Sequence, residues 1–587
     1  MQGSSAGPKT RHVSDEEYAE GARLACSSYL TSDAAVLVPD IASAYKSRMK
    51  IADLSSKQEV EIFNSIWRQV LEAGLTFDND YAVLELEMEE PTFEDTMPDN
   101  ERLARAVLKK TGASEAKVAL PAMRKISEAL RMEGFRAKAV VRETGGVAEI
   151  LDVFPASEKA KAFCAVIDIG TTTVSALLSN IQTGRIYAKA SSGNGQIRYG
   201  ADVINRILES AKPGGREKLM DAVIGETINP LLLSMCSSAG VSMDSIYLVA
   251  VSGNTTMEHL FCGVNADYLR QEPFVPAFFR DLSIKAKDLG LNANENAQVA
   301  LAPNIGSYVG GDITAGTLAS MIWSREEFSL FLDLGTNGEI VFGNKDFLLA
   351  CACSAGPAFE GGDLSCGMRA TDGAIEKIDL DPATLAPAYT VIGGGKPVGL
   401  CGSGCIDLIA ALFRAGAITA KGRFFAESDR IRHDSYGIGR YIVASEEESA
   451  TGKEISINEV DIDNFVRAKG AIFSGIRVML NSMEMDISMV SDIYVAGGIG
   501  SGVNMRNAVE IGLFPDLPLE QFHYIGNSSL SGAYCMAHSN SSKEKIDEIA
   551  SAMTYIELSN IPSYMQEFVA ACFLPHTDLS LFPSCGA

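Results

Sequence analysis

The sequence predicts an α/β protein organised around a duplicated domain, and three stretches carry that reading. FCAVIDIGTTTVSALLSNIQTGRIYAKA (163–190) reads as strand–turn–strand: an apolar run reaches Asp168, turns through Gly-Thr-Thr-Thr, and continues as a second apolar run. FSLFLDLGTNGEIVFG (328–343) repeats that grammar around Asp333, a domain's length further on. A late strand then enters a glycine-rich turn in DIYVAGGIGSGVNMRNAV (492–509).

At 587 residues the chain exceeds one core, so several domains are expected. Hydrophobic residues at 47% and charged residues at 21% describe a globular protein. The formal net charge of −25 argues against nucleic acid, whose phosphates demand clustered Lys and Arg, and against anionic membrane surfaces. No apolar run reaches transmembrane length, and MQGSSAGPKTRHVSDEE has no signal-peptide core, so a cytoplasmic protein is expected. In that setting the twelve cysteines read as reduced thiols. The close pairs, CAC (351–353) and CGSGC (401–405), are not C-x-x-C and fit small buried residues better than metal ligands. The six histidines are dispersed without zinc-ligand spacing; His259, in TTMEHLF, reads better as a satisfied helix histidine than as a ligand.

Along the chain, residues 1–50 form a polar tail and linker remnant, with a short strand at AAVLVPD (34–40). Val60, Phe63, Trp67, Val70 and Leu71 have helical periodicity before Gly74, predicting an isolated connecting helix within 51–80. Region 81–160 reads as a small α+β unit: a strand from Tyr81, helices in PDNERLARAVLKKTG and PAMRKISEALRMEG, and strands in RAKAVVRE and GVAEILDVFP. It lacks an ionisable cluster suited to catalysis and is read as scaffold or dimer surface. Residues 161–587 form the duplicated domain, with lobes at 161–325 and 326–540 and a tail, 541–587, expected to pack in extended form.

The turn chemistry points to nucleotide. Backbone N–H groups and Thr hydroxyls can surround phosphate oxygens without a lysine, and an Asp carboxylate is a hard ligand for Mg²⁺. One D-x-G-T is weak evidence, because any tight turn between strands produces it; two copies at domain spacing are much stronger. G-G-x-G-x-G departs from the dinucleotide fingerprint and lacks the following βαβ unit.

In this order the elements resemble the actin-like ATPase superfamily, which implies two RNase H-like lobes with ATP between them. Four further stretches resemble the reductive activators of corrinoid proteins: VSGNTTMEHLFCG (251–263), GSYVGGDITAG (306–316), ACSAGPAFEGGDLSCGMRATDGAI (352–375) and GLCGSGCIDLIAALFRAG (399–416). The N-terminal EGARLAC and the 81–155 unit fit the same family, so the resemblance covers nearly the whole chain. It implies ATP-dependent one-electron reduction of an inactive Co(II) corrinoid to Co(I). The implied partners are a corrinoid methyl-transfer protein and an electron donor such as a ferredoxin, with the chain a homodimer.

The residue roles expected from motif and resemblance are as follows. Asp168 and Asp333 organise Mg²⁺, and Glu339 orients the attacking water or makes only a turn contact. Gly170, Thr171, Thr172 and Thr173 line one side of the phosphates, and Gly335, Thr336, Asn337 and Gly338 line the other. Gly497, Gly498 and Gly500 face the adenosine, with Glu360 beside it. Asp312 reads as a helix N-cap before a catalytic carboxylate. Two other readings compete: an actin-like small-molecule kinase, for which no general base is identified, and an activator of a radical dehydratase, whose shared [4Fe–4S] cluster would fall to Cys353 and Cys366. Family members commonly begin with a [2Fe–2S] ferredoxin-like domain whose fourth ligand lies in RLAC. Cys26 matches that ligand, and none of the residues before it is cysteine. It is therefore expected to be an orphan ligand, with a cluster only if a missing domain is restored.

Overall fold

The computed structural model describes residues 57–280, 282–362, 364–497 and 502–585, together with Ser5–Ala6, Ala19, Tyr29–Leu30 and Lys50–Ile51. The strand expected at 34–40, Cys26, Gly498 and Gly500 lie outside the described residues. The chain divides into two units: one comprises Ile41–Ser324 and Ser528–Met553, and the other includes Arg325–Asn527 and Thr554–Ala587.

That division corrects the expected second lobe (326–540) and tail (541–587), because residues 528–553 belong with the first unit. The cause is packing. Helix Ser528–His538 is buried along its length and lies against helix Gly311–Ser320 so closely that a Cβ on Gly532 would stand 2.0 Å from the Ala315 carbonyl oxygen.

The first unit opens with helix Lys57–Glu72. It is not the isolated connector the sequence predicts. Its Phe63 and Trp67 rings meet Tyr534 edge-on at 4.8 and 5.6 Å. A four-stranded sheet follows in the order Tyr81–Glu87, Arg136–Thr144, Val147–Pro155, Glu115–Val118. Helices Asp99–Thr111 and Leu120–Met132 bury Leu103, Val107, Ile126 and Leu130 in the same core as Val141 and Ile150 of the sheet. The EAKV strand at 115–118, not among the expected strands, alternates Glu115 and Lys117 with Ala116 and Val118 and pairs in parallel with Val147–Pro155. Buried Asp152 joins this region to the sheet beyond it, since it holds Lys125 Nζ at 3.0 Å and accepts from the Tyr247 hydroxyl at 3.1 Å.

That next sheet runs Ile284–Lys285, Gln298–Leu301, Ile246–Gly253, Phe163–Ile169, Thr173–Asn180, Ile186–Gly193, Lys50–Ile51. Phe163–Ile169 begins an antiparallel meander of three strands, and Ile246–Gly253 then returns parallel to it. Both central strands are almost wholly buried, which explains their unbroken apolar runs. The helical stretch Gly215–Ala239, with a π turn at Ile224–Ile228, is long and apolar enough by composition to cross a membrane, contrary to the sequence reading. Its Leu219, Val223, Ile228, Leu231 and Met235 instead fill the core of this unit.

The second unit repeats the arrangement: Phe522–Tyr524, Asp492–Ala496, Ser329–Leu334, Gly338–Gly343, Leu348–Cys353, with Met553–Tyr555 at the edge. Again the first strand starts a three-stranded meander, and a later strand returns parallel to it. Two small three-stranded sheets lie between Cys353 and the 24-residue helix Glu459–Ser482. That helix starts with a capping box in which Asn458 accepts from Asp461 N and Asp461 accepts from Asn458 N. The C-terminal segment is not extended as expected, because it forms helix Tyr564–Ala571 packed on that long helix. The fully buried Lys469 holds the segment by donating to the Phe573 and Pro575 carbonyls at 2.5 Å.

Candidate nucleotide site

In the first unit, Asp168 is the penultimate residue of its strand and Gly170–Thr172 make the turn to Thr173–Asn180. Gly170 allows the fold-back, since a Cβ there would meet Thr173 O at 2.6 Å. Every carbonyl of the turn is held by a donor. Asn194 Nδ2 donates to Gly170 O at 2.9 Å, Arg206 Nη2 to Thr171 O, and Asn194 N to Thr172 O at 2.9 Å. Because a trans peptide is planar, the N–H that follows each carbonyl points the opposite way, so the turn offers N–H groups on the face away from those donors. Asn254 caps helix Thr255–Phe261 through Oδ1 and donates from Nδ2 to Thr171 Oγ1 at 3.0 Å. With its lone pair engaged, the Thr171 hydroxyl keeps its proton for an incoming oxygen. Asp168 accepts from Ser529 Oγ at 2.8 Å, and Ser252 Oγ lies 2.8 Å from that same hydroxyl.

In the second unit, Asp333 occupies the same place in its strand, and residues 335–337 make the turn. Asp333 stands directly opposite Glu339 in the antiparallel ladder. Directly opposed residues share one face of a sheet, so two carboxylates rise together there. Thr336 Oγ1 donates to Glu360 Oε2 at 3.4 Å, and Glu360 ends the short 3₁₀ helix Pro357–Glu360. On the parallel side, Gly497 adopts φ +95°, and a Cβ would lie 2.5 Å from both Asp333 Oδ1 and Leu334 O. Its glycine identity follows from close approach to the aspartate turn.

Some roles shift when the residues are placed. Gly338 is buried, and a Cβ there would collide with Ile472 Cδ1 at 1.9 Å, so packing against the long helix demands this glycine. Glu360 lies against the Gly335–Thr336 turn, which makes it a neighbour of the expected phosphate loop. Asp312 is not an N-cap. Gly310 takes that position, and Asp312 sits in the first turn with its Oδ1 accepting from Ile313 N at 2.9 Å. His259 is fully engaged: Nδ1 donates to Thr255 O at 2.7 Å, Nε2 accepts from Ala277 N at 3.1 Å, and the ring stacks on Phe278. Burial pushes its pKa down, favouring the neutral ring those bonds require. Its neighbour Glu258 is fully buried and accepts from Asn304 Nδ2 at 2.7 Å. Burial, with Asp312 adding to it, drives that carboxyl well above the usual range.

Sequence reasoning missed Asn194, Arg206, Asn254 and Ser529. Asn254 falls in a stretch singled out for its family likeness, and the Gly-Asn pairs at 193–194 and 253–254 are the available signal.

Taken together, two sheets whose central strands follow the same order, each placing an aspartate near the end of its first strand before a Gly-Thr turn, define the duplicated RNase H-like fold of the actin-like ATPases. Family models agree: residues 327–586 match the C-terminal domain of RACo, described as the ASKHA domain, residues 163–325 the RACo middle region, and residues 70–160 the RACo linker region. The corrinoid activation enzyme RamQ of Eubacterium limosum is 33% identical over 458 residues, covering 76% of each chain. A [Co(II) methylated amine-specific corrinoid protein] reductase of Methanosarcina barkeri is 24% identical over 421 residues, covering 66% of this chain and 72% of its own. Among solved structures, a reductive activator for corrinoid, iron-sulfur protein superposes with a TM-score of 0.81 at 37% identity, covering 100% of this chain and 92% of its own. The chain belongs to the RACo family of reductive activators.

Proposed function

We propose that this chain is an ATPase that reductively activates a corrinoid protein, binding its inactive Co(II) form and using ATP to enable one-electron reduction to Co(I). The observation that carries this reading is whole-length likeness to a reductive activator at 37% identity, reinforced by the corrinoid activation enzyme at 33%. Reduction of Co(II) to Co(I) is strongly uphill for common donors, so an energy input is required. A protein whose state depends on nucleotide supplies it by favouring one form of the bound partner.

Within that reading the two turns divide the work. The Gly170–Thr173 turn supplies N–H groups and the Thr171 hydroxyl to phosphate oxygens. Asp333 and Glu339 are the carboxylates suited to Mg²⁺, a hard cation that takes one or two carboxylates and completes its shell with phosphate and water. Bound there, Mg²⁺ would neutralise phosphate charge. Glu339 orients the attacking water and Asp168 keeps its turn in place through Ser529. The Gly497 loop, with Gly498 and Gly500, takes the adenosine. Electrons are assigned to a separate donor such as a ferredoxin. The protein acts in the cytoplasm as a homodimer, with region 81–160 as its scaffold.

The test is an absorbance titration of a Co(II) corrinoid protein with reductant, this chain and Mg-ATP. The Co(I) band should appear with Mg-ATP and be absent without it; equal reduction in both arms would overturn the reading. Iron analysis checks the donor assignment, since roughly two irons per chain would contradict it.

A further inference from the structure

Arg206 has the properties of a charge placed for a ligand. It is fully buried on helix Val203–Ser210, and its guanidinium donates only to uncharged groups. Nε donates to Gly200 O at 2.9 Å, Nη1 to Gln196 Oε1 at 3.3 Å, and Nη2 to Thr171 O; Nη1 also contacts Met257 Sδ at 3.2 Å. Among the described residues it is in no ion pair. The acid whose field reaches it is Asp202, whose own carboxylate caps the same helix through Asn205 N at 2.8 Å and Asn205 Nδ2.

A buried cation without a carboxylate partner is costly, because desolvation is not repaid by a counter-charge. Here burial draws the pKa down to about 9, so the group stays protonated at neutral pH. The charge lies one hydrogen bond behind the turn whose N–H groups face the other way. Substituting that arginine by a neutral residue would leave the Thr171 carbonyl without its donor and the turn without positive charge. The nucleotide turn itself, residues 170–173, contains no Lys or Arg.

We infer that Arg206 is the electrostatic positioning residue of the nucleotide turn: from behind Thr171 it supplies the positive charge that polyphosphate needs and that no side chain in the turn provides. Resting on the assignment of this turn to ATP phosphates, the inference adds a charge requirement to it. Arg206 discriminates nucleotides by their charge and not by their base. The protein interior screens weakly, so the effect passes through the turn without contact.

The test is calorimetric binding of AMP, ADP and ATP to the full chain and to Arg206→Gln, Arg206→Lys and Asp202→Asn. Arg206→Gln should weaken ATP about tenfold or more, ADP by less, and AMP within about twofold, as expected for a charge effect. Arg206→Lys should restore the ATP-to-AMP ratio even where thermal stability stays low. Asp202→Asn keeps a good helix cap and removes the opposing charge, so ATP should bind more tightly relative to AMP. Equal losses for all three nucleotides in Arg206→Gln would make the residue purely structural and overturn the inference. Should that variant not fold, an ATP-to-AMP ratio left unchanged by Asp202→Asn would overturn it. Failure of the wild-type chain to bind any nucleotide would instead refute the assignment of the turn.

Discussion

The two aspartate turns share a backbone and differ in chemistry. Asp168 is surrounded by hydroxyls: Ser529 donates to it, while Ser175 and Ser252 are its ladder neighbours. Asp333, in the same place of a sheet whose central strands follow the same order, has Glu339 opposite it on one side and Ala496 on the other. The first turn is backed by Asn194, Arg206 and Asn254; the second is confined by Gly497 and touched by Glu360. Duplication thus preserved the scaffold and let one copy become rich in donors and the other in acceptors. Donors suit phosphate, whereas paired carboxylates suit a cation and its water.

The comparison breaks first at Asp333. Asp333→Asn should lower the ATPase kcat about 10²–10³-fold while changing the dissociation constant for ATP far less, by steady-state assay and calorimetry. Asp168→Asn losing as much kcat would mean the copies are not specialised. Gly497→Ala comes next. With φ +95° and a Cβ 2.5 Å from Leu334 O, it should destabilise the second unit by about 2–3 kcal/mol, read from denaturant unfolding. Gly338→Ala should cost less, about 1–2 kcal/mol, because the colliding atom is the end of the Ile472 side chain, and Ile472→Val should relieve it. In the first unit, Asn254→Asp retains a cap for Met257 N and removes the donor to Thr171 Oγ1. ATP affinity should fall about tenfold with kcat at saturation retained, the reverse of the Asp333 result.

Buried bases sharpen the contrast more gently. His538, beside Ser179 Oγ at 2.8 Å in the first unit, is drawn down to about 4 by burial. Lys469 in the second is drawn down to about 7, also by burial. In both cases the unfolded chain binds more protons between the two pKa values, so stability rises with pH there. For His538 the stabilisation is complete above about 6.5 and is lost as pH falls toward 4. For Lys469 stability increases as pH climbs from about 7 toward 10.5. Unfolding midpoints across pH should lose the acid slope in His538→Gln and the alkaline slope in Lys469→Met.

What was legible in the sequence was what periodicity and local turn chemistry encode. Both D-x-G-T hairpins stand out because buried strands read as apolar runs that an aspartate and glycine interrupt. The strand Glu115–Val118 was missed because four residues, with Ala116 and Val118 as its only apolar positions, are too short a run to stand out between two helices. The packing reason for Gly338 was hidden because a glycine demanded by a helix far along the chain looks the same as one demanded by a ligand. Arg206 was invisible as a site residue and Asn254 was marked only by its Gly-Asn pair, since both act through bonds to Thr171 that no spacing reports. The placement of Ser528–Met553 is likewise a long-range packing result.

That last segment constrains how the molecule is made. Helix Ser528–His538 supplies the hydroxyl that holds Asp168, yet it is translated after nearly all of the second unit. On the ribosome, the first unit therefore emerges with helix Gly311–Ser320 uncovered and waits for some two hundred residues before it can close. Nascent chains stalled before residue 528 will present that apolar surface to chaperones. A minimal version of the first unit has to splice residues 528–553 onto 324 instead of ending there.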